Sequence, residues 1–348
     1  MLKIFPKEAI KIYLFSFCIF PLLNSFSFAD ESPTSAQISI APFKDNKICA
    51  FSFTFDDGEK TVATHILPLF DEFGYKATLF INPATAPEIP HEEDARISWV
   101  EIKDAISRGY EIGNHGLTHA NLVLNPTMAQ TEINNAYQLI KEKTGVAPVS
   151  FAFPDDAFNE DLIKKVSKNH YAIRIQERLK EVYPKLQHAV YGGRKFSAEE
   201  AKGIVDHALS ENEWIIAELH AIKSKRLSYK PIREELLREH LSYIKQNEDK
   251  IWVDTFFHVY SYLFEKKNTE IKIKKSSSRD IQFLLDSPLD EQIFSTPLTI
   301  ELKTPQGHPE KVAAQYHGEK KPIPVIIKGN EIYLEVIPTK KIIEVRWK

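Results

Sequence analysis

The chain has 348 residues, 43% of them hydrophobic and 27% charged, the make-up of a globular protein rather than a disordered or fibrous one. Lys plus Arg number 45 against 48 for Asp plus Glu, a near balance that gives no reason to expect a nucleic-acid partner or an anionic membrane surface. The cysteines are Cys18 and Cys49, and loss of an N-terminal segment carrying Cys18 would exclude an internal disulfide.

Taken in chain order, residues 1–29 have the layout of a signal peptide. Lys3, Lys7 and Lys11 form a basic start, 12–23 is apolar, and Ser27-Phe28-Ala29 offers a cleavage site. The apolar run is shorter than the roughly 20 residues a membrane span needs, so no stable anchor is expected. The protein is expected to be exported, periplasmic or secreted, with 30–45 as an N-terminal extension. Residues 46–264 alternate apolar runs with amphipathic stretches. Strands are predicted at 48–55, 77–81, 110–114, 149–153, 171–175, 214–220 and 251–256. Helices are predicted at 61–73, 127–143, 160–168, 198–209 and 233–246. Strands apolar on both faces, alternating with helices, predict an α/β protein with a parallel sheet or barrel. Past a charged stretch at 274–279 come short alternating runs at 281–285, 298–302, 312–316, 324–327, 332–336 and 342–347. These predict a small all-β sandwich over 269–348. Its aromatics Tyr316, Tyr333 and Trp347 fit a sandwich core better than a sugar-stacking face.

Three fragments carry chemistry, each at the end of a predicted strand, the edge where α/β barrels place their sites. Thr54-Phe55-Asp56-Asp57-Gly58 sets two carboxylates side by side. One can bind a metal while the other handles a proton, although alone the fragment fits a solvated turn better. His115-Gly116-Leu117-Thr118-His119 is the second. As a helical turn, its spacing would put both imidazoles on one face, toward one ion. Two His and one Asp leave open positions, as hydrolytic metal sites require. His220 closes the strand 214–220, and by alternation Glu218 shares its face.

Together these residues resemble the polysaccharide deacetylase family, also called carbohydrate esterase family 4, over roughly residues 46–264. The family's first motif stands as Thr54 to Gly58, its second as His115 to His119, and its fifth as Ile215-Ile216-Ala217-Glu218-Leu219-His220. The run Ala77-Thr78-Leu79-Phe80-Ile81 looks like its second strand. The resemblance implies a distorted (β/α) barrel that removes N- or O-linked acetyl groups from a carbohydrate. It also implies a divalent metal, most often zinc in this family, on Asp57, His115 and His119. Asp56 would be the general base and His220 the general acid. A backbone N–H near Asp155, just after Pro154, would share the oxyanion.

The sequence also departs from the family pattern. The Arg that usually opens the third motif is missing from Ser150-Phe151-Ala152-Phe153-Pro154-Asp155-Asp156, which is similar to a family branch with Phe-Ala-Tyr-Pro. Asp155-Asp156 stands in place of the usual aromatic-Gly pair. Arg174, ending the next strand, is the candidate replacement for the missing guanidinium. Glu218 stands where the family carries an apolar residue near the acetyl methyl. Asp254, on the last strand, is a candidate to orient His220. These departures motivate a second reading, a non-catalytic carbohydrate-binding relative that kept the metal. A phosphoesterase fits less well, since such sites often hold two metals and one three-ligand set is visible here.

Overall fold

The computed structural model describes residues 35–223, 228–305 and 307–348. The predicted signal peptide and Cys18 lie outside the described residues. Thr34–Lys348 forms one compact unit. It opens with β1 (Gln37–Ile40) and then builds a parallel sheet. The strands of that sheet are β2 (Cys49–Phe55), β3 (Thr78–Ile81), β4 (Glu111–Asn114), β5 (Ser150–Phe151), β6 (Ala172–Ile173), β7 (Leu186–Val190), β8 (Trp214–Leu219) and β9 (Ile251–Val253). The helices are α1 (Leu67–Phe73), α2 (Trp99–Ser107), α3 (Ala129–Thr144), α4 (Glu160–Val166), α5 (Gln176–Val182), α6 (Ala198–Glu211), α7 (Glu234–Gln246) and α8 (Phe256–Asn268). The strand order is β6-β5-β4-β3-β2-β8-β7, with β9 paired to the first half of β2. No ladder joins β6 to β7 among the described residues, so the expected (β/α) barrel is open along one seam.

Alternation along the two central strands decides what faces the barrel interior. Phe51, Phe53 and Phe55 of β2, with Ile215, Ala217 and Leu219 of β8, belong to an apolar cluster that includes Phe70, Leu237 and Leu241 of the surrounding helices. Burying each of those phenylalanines contributes about 1.5–3 kcal/mol, which fixes the register of β2. The intervening residues Ser52, Thr54 and Asp56, and Trp214, Ile216, Glu218 and His220, therefore face inward. The lower interior is sealed by aromatic packing, with Phe256 5.9 Å from Phe80 and 5.8 Å from Trp214. Glu111 completes this floor, accepting from Thr78 Oγ1 at 2.6 Å, from the Phe257 amide at 2.9 Å and from Ser150. The polar groups thus gather at the opposite, C-terminal edge of the sheet.

The chain continues into β10 (Glu270–Ser276), β11 (Asp280–Asp286), β12 (Leu298–Lys303), β13 (Val312–Tyr316), β14 (Pro322–Ile323), β15 (Val325–Lys328), β16 (Glu331–Val336) and β17 (Ile343–Trp347). They form two antiparallel sheets, β1-β12-β16-β15 and β10-β11-β17-β13-β14. Tyr333 and Trp347 are buried in this sandwich, as a core role predicts. Two parts differ from expectation. The N-terminal extension supplies β1, whose Gln37–Ile40 pairs with Lys303–Ile300 of β12. The charged stretch near 274 begins inside a strand: β10 lies at a sheet edge, where lysines are tolerated because one side meets water. Helices α2, α5 and α8 were not legible. Phe256–Asn268 is rich in aromatics and reads as strand by propensity, but Thr255 caps it, its side chain accepting from the His258 amide. Trp214, Ile216 and Phe256 of the barrel share one apolar cluster with Ile281, Phe283, Leu298 and Ile300 of the sandwich.

Candidate active site

Asp56 and Asp57 leave the end of β2 in different directions. Asp56 keeps the strand's alternation and points inward, only 2% exposed. Asp57 takes a left-handed conformation, φ 70°, which turns its carboxylate toward the second histidine motif. That motif is not a helical turn, which corrects the reading of its spacing. Residues 115–120 form an irregular loop in which Gly116 (φ 77°) and His119 (φ 65°) are both left-handed. The imidazoles converge because the loop folds back, not because a helix presents them on one face. Three side chains brace that loop. Asn82 Nδ2 donates to His115 O at 2.6 Å. Asn114 Oδ1 accepts from the Gly116 amide at 2.9 Å. Glu132, buried at the start of α3, accepts from Thr118 N and Oγ1 at 2.9 and 2.8 Å.

The loop leaves His115 Nε2 3.6 Å and His119 Nε2 3.2 Å from Asp57 Oδ1. Two ligands on one tetrahedral ion with bonds of about 2.1 Å would sit about 3.4 Å apart. All three donor atoms lie within 4.8 Å of one another. Asp57 Oδ1 is buried, and no N–H is aligned on it among the described residues. His115 Nδ1 donates to Ala152 O at 2.9 Å, which directs Nε2 to the shared point. Burial holds the His115 pKa below the usual histidine range, keeping it neutral and able to donate its lone pair. Burial pushes Asp57 upward, but the proximity of His119 and His115 outweighs it and holds its pKa at about 2. The residues present fit a divalent cation.

A second set, Asp56, Glu218 and His220, also brings its ligand atoms within 4.8 Å of one another. This set already has a cation. Arg174 forks the Asp56 carboxylate, Nη1 to Oδ1 at 2.7 Å and Nη2 to Oδ2 at 2.5 Å. It also donates to Thr54 Oγ1 at 2.8 Å, and its Nη2 lies 3.1 Å from Glu218 Oε2. His188 of β7 reaches the same Glu218 oxygen from the other side at 2.9 Å. Burial works against the Glu218 anion, but Arg174 and His188 hold its pKa below the usual carboxylate range. Burial likewise works against the Arg174 cation, yet Asp56 and Glu218 raise its pKa. The guanidinium lies 5.1 Å over the Phe80 ring, which fills the space beside Gly113. A Cβ on Gly113 would fall 2.4 Å from Phe80, so the cluster's support depends on that glycine.

Asp56, Asp57, His115, His119, Glu218 and His220 all line one cavity of about 450 Å³, with Asp155 and Asp156 on its wall. Pro154 opens the short turn Pro154–Asp156, and Asp155 there is left-handed, its carboxylate accepting from Asn121 Nδ2 at 3.0 Å. His220 packs against Tyr229, ring centroids 4.9 Å apart, and its buried Nδ1 has no partner among the described residues. Asp254 is the misplaced expectation. Register sets β9 beside the start of β2, and the Asp254 amide bonds Phe51 O. That is five residues below Asp56, about 16 Å along the strand, and Asp254 instead pairs with Trp252 Nε1 at 3.1 Å and His258 at 2.8 Å. Asn82, Asn114, Glu132 and His188 were not singled out from sequence. Only His188 left a signal, a lone histidine in the run Leu186–Val190, which is too mixed to read as a strand.

Residues 44–173 match the family model described as polysaccharide deacetylase. A gellan lyase of Bacillus sp is 22% identical over 332 residues, covering 86% of this chain and 13% of that protein. A protein of Bacillus subtilis (strain 168) named as a polysaccharide deacetylase, YxkH, is 23% identical over 154 residues, 44% of this chain and 53% of its own length. Among solved structures, a polysaccharide deacetylase from Mycobacterium smegmatis is 17% identical with TM-score 0.49, covering 66% of this chain and 94% of that one. The chain thus spans about half or less of the length of these curated relatives.

Proposed function

We propose that this protein is a metal-dependent hydrolase that removes acetyl groups, N- or O-linked, from a carbohydrate outside the cytoplasm. The observation that carries the reading is the pairing of an Asp57-His115-His119 cradle with a clamped Asp56 in one cavity. The cradle's donor set suits zinc. A bound divalent ion would polarise the acetyl carbonyl and acidify a water molecule. Asp56 takes the proton from that water, and the Arg174 fork holds its carboxylate in place. His220, in the same cavity, carries a proton to the leaving nitrogen or oxygen as the acetyl bond breaks. Acid and base each contribute typically 10²–10⁴-fold. The second reading, a binding relative without turnover, loses one of its two motivations, because Arg174 supplies the guanidinium absent from the third motif. The basic, apolar and small-residue order of 1–29 supports export.

The test is acetate release from chitooligosaccharides, peptidoglycan, acetylated xylan and poly-N-acetylglucosamine, before and after chelation. Release that stops on chelation and returns with zinc is expected. Bound metal with no release from any glycan would establish the binding reading instead.

A further inference from the structure

The sandwich carries a second concave surface, remote in sequence from every site residue. It is a groove of about 810 Å³ at one end of the β10-β11-β17-β13 sheet, and it includes Lys275, Arg279, Lys311, Arg346 and Lys348. All five are exposed. We propose that this groove binds an anionic polysaccharide, a chain bearing carboxylates, separately from the barrel cavity and whether or not the barrel turns over.

Register explains why the cations collect. Val312 pairs with Trp347, so Lys311 and Lys348 come directly opposite each other, and Lys348 N donates to Lys311 O at 3.0 Å. The Trp347 amide donates to Arg279 O at 3.0 Å, which adds the third cation on the neighbouring strand end. Like charges directly opposite on paired strands destabilise a sheet, and a bound polyanion would remove that cost. Arg279, Lys311 and Lys348 make no ion pair among the described residues. Even with Lys348 set against an α-carboxylate, Arg279 and Lys311 remain uncompensated. The acids nearby are engaged: Asp280 accepts from Ser277 Oγ at 2.5 Å and pairs with Lys275 at 3.2 Å. Glu344 is held by Gln282 at 2.9 Å, His317 at 2.5 Å and Arg346 at 3.3 Å. Glu310 is exposed beside Lys311 and lowers the field without cancelling it.

The shape favours a polymer. Lys275 on β10 and Lys311 before β13 are separated by three strand spacings, about 14 Å, the reach of an oligosaccharide rather than a lone anion. Ala313, paired with Arg346, sets a small side chain among the cations of the groove. Single-stranded nucleic acid fits less well, because Trp347 is only 5% exposed and offers no face for base stacking.

The experiment is affinity electrophoresis and calorimetry of the full chain with polygalacturonate, with dextran as the neutral control. Expected are retardation by polygalacturonate and none by dextran, with affinity falling steeply as salt rises. The Arg279→Glu/Lys311→Glu variant should bind at least tenfold more weakly with unchanged thermal melting and unchanged metal content. Arg279→Gln/Lys311→Gln serves if charge reversal impairs folding. Equal polygalacturonate binding by wild type and variant would overturn the proposal. So would equal affinity for double-stranded DNA or for phosphatidylserine vesicles at about 0.15 M salt. None of these readouts requires acetate release, so failure of the deacetylase reading would leave them intact.

Discussion

Two clusters of acids and histidines share one cavity, and they differ in where their cation comes from. The set Asp57, His115 and His119 brings its ligand atoms together with no cationic side chain paired to Asp57 among the described residues apart from the two histidines. Asp56 and Glu218 meet Arg174, a cation built into the chain. The difference teaches how two aspartates next to each other in sequence take different work. Asp57, turned out of the strand by its left-handed backbone, is the ligand on the proposed reading, and Asp56, kept in register and clamped, is the proposed base.

The largest expected effects break that division directly. Asp56→Asn should cut turnover by about 10²–10⁴-fold while metal content stays at one ion per chain, because it removes a base and no ligand. His115→Ala should lose metal and turnover together. Elemental analysis with acetate release checks both, and full metal in the His115 variant would break the comparison.

A smaller effect sharpens it. Arg174→Ala leaves two buried carboxylates without their cation, a loss of about 3–5 kcal/mol of stability by the cost of stranding a buried charge. Where it folds, Asp56, Glu218 and His220 become a ligand set without a cation. Calorimetric titration is expected to show a second, weaker zinc site absent from wild type. Glu218→Gln should preserve the fold and slow turnover less than Glu218→Leu, since Gln still accepts from Arg174. Equal rates for both would mean that Glu218 does not position the guanidinium.

The last effect lies outside the cavity and leaves turnover untouched. His240 of α7 is buried among Phe51, Phe53 and Tyr191, and burial lowers its pKa to about 3. The folded state keeps it neutral, while in the unfolded chain it titrates near 6.5. Its neutral form therefore favours folding above about pH 6.5, and that contribution is lost as pH falls from there toward 3, a change on the order of a few kcal/mol. His240→Leu should flatten melting temperature against pH over that window. An unchanged slope would assign the acid sensitivity to other groups.

How much of this was legible follows from what each residue answers to. The strands β2 and β8 and their terminal residues could be read because alternation is local. The histidine pair was found by its spacing but misread as helical, because a loop's left-handed residues leave no periodic trace. Arg174 was found by position alone, as the strand-end cation nearest a missing one. Asp254 was misplaced because sequence gives a strand's end but not its register against its neighbour. Asn82, Asn114 and Glu132 act on backbone atoms up to 34 residues away, a relation no local pattern carries.

The open seam has a consequence for how this site can change over generations. Arg174 leaves β6 on one side of the unpaired gap and grips side chains on β8 and just beyond β2. Through Glu218 it meets His188 of β7, so charge links the two strands that the backbone leaves unpaired. Replacing Arg174 alone strands two acids, and replacing Glu218 alone leaves His188 and part of the guanidinium without a counterion. A lineage moving between this arrangement and one with its arginine on β5 and an apolar residue at 218 would have to cross both changes nearly together. Positions 174, 188 and 218 are therefore expected to mutate as a set, each single step being worse than either end.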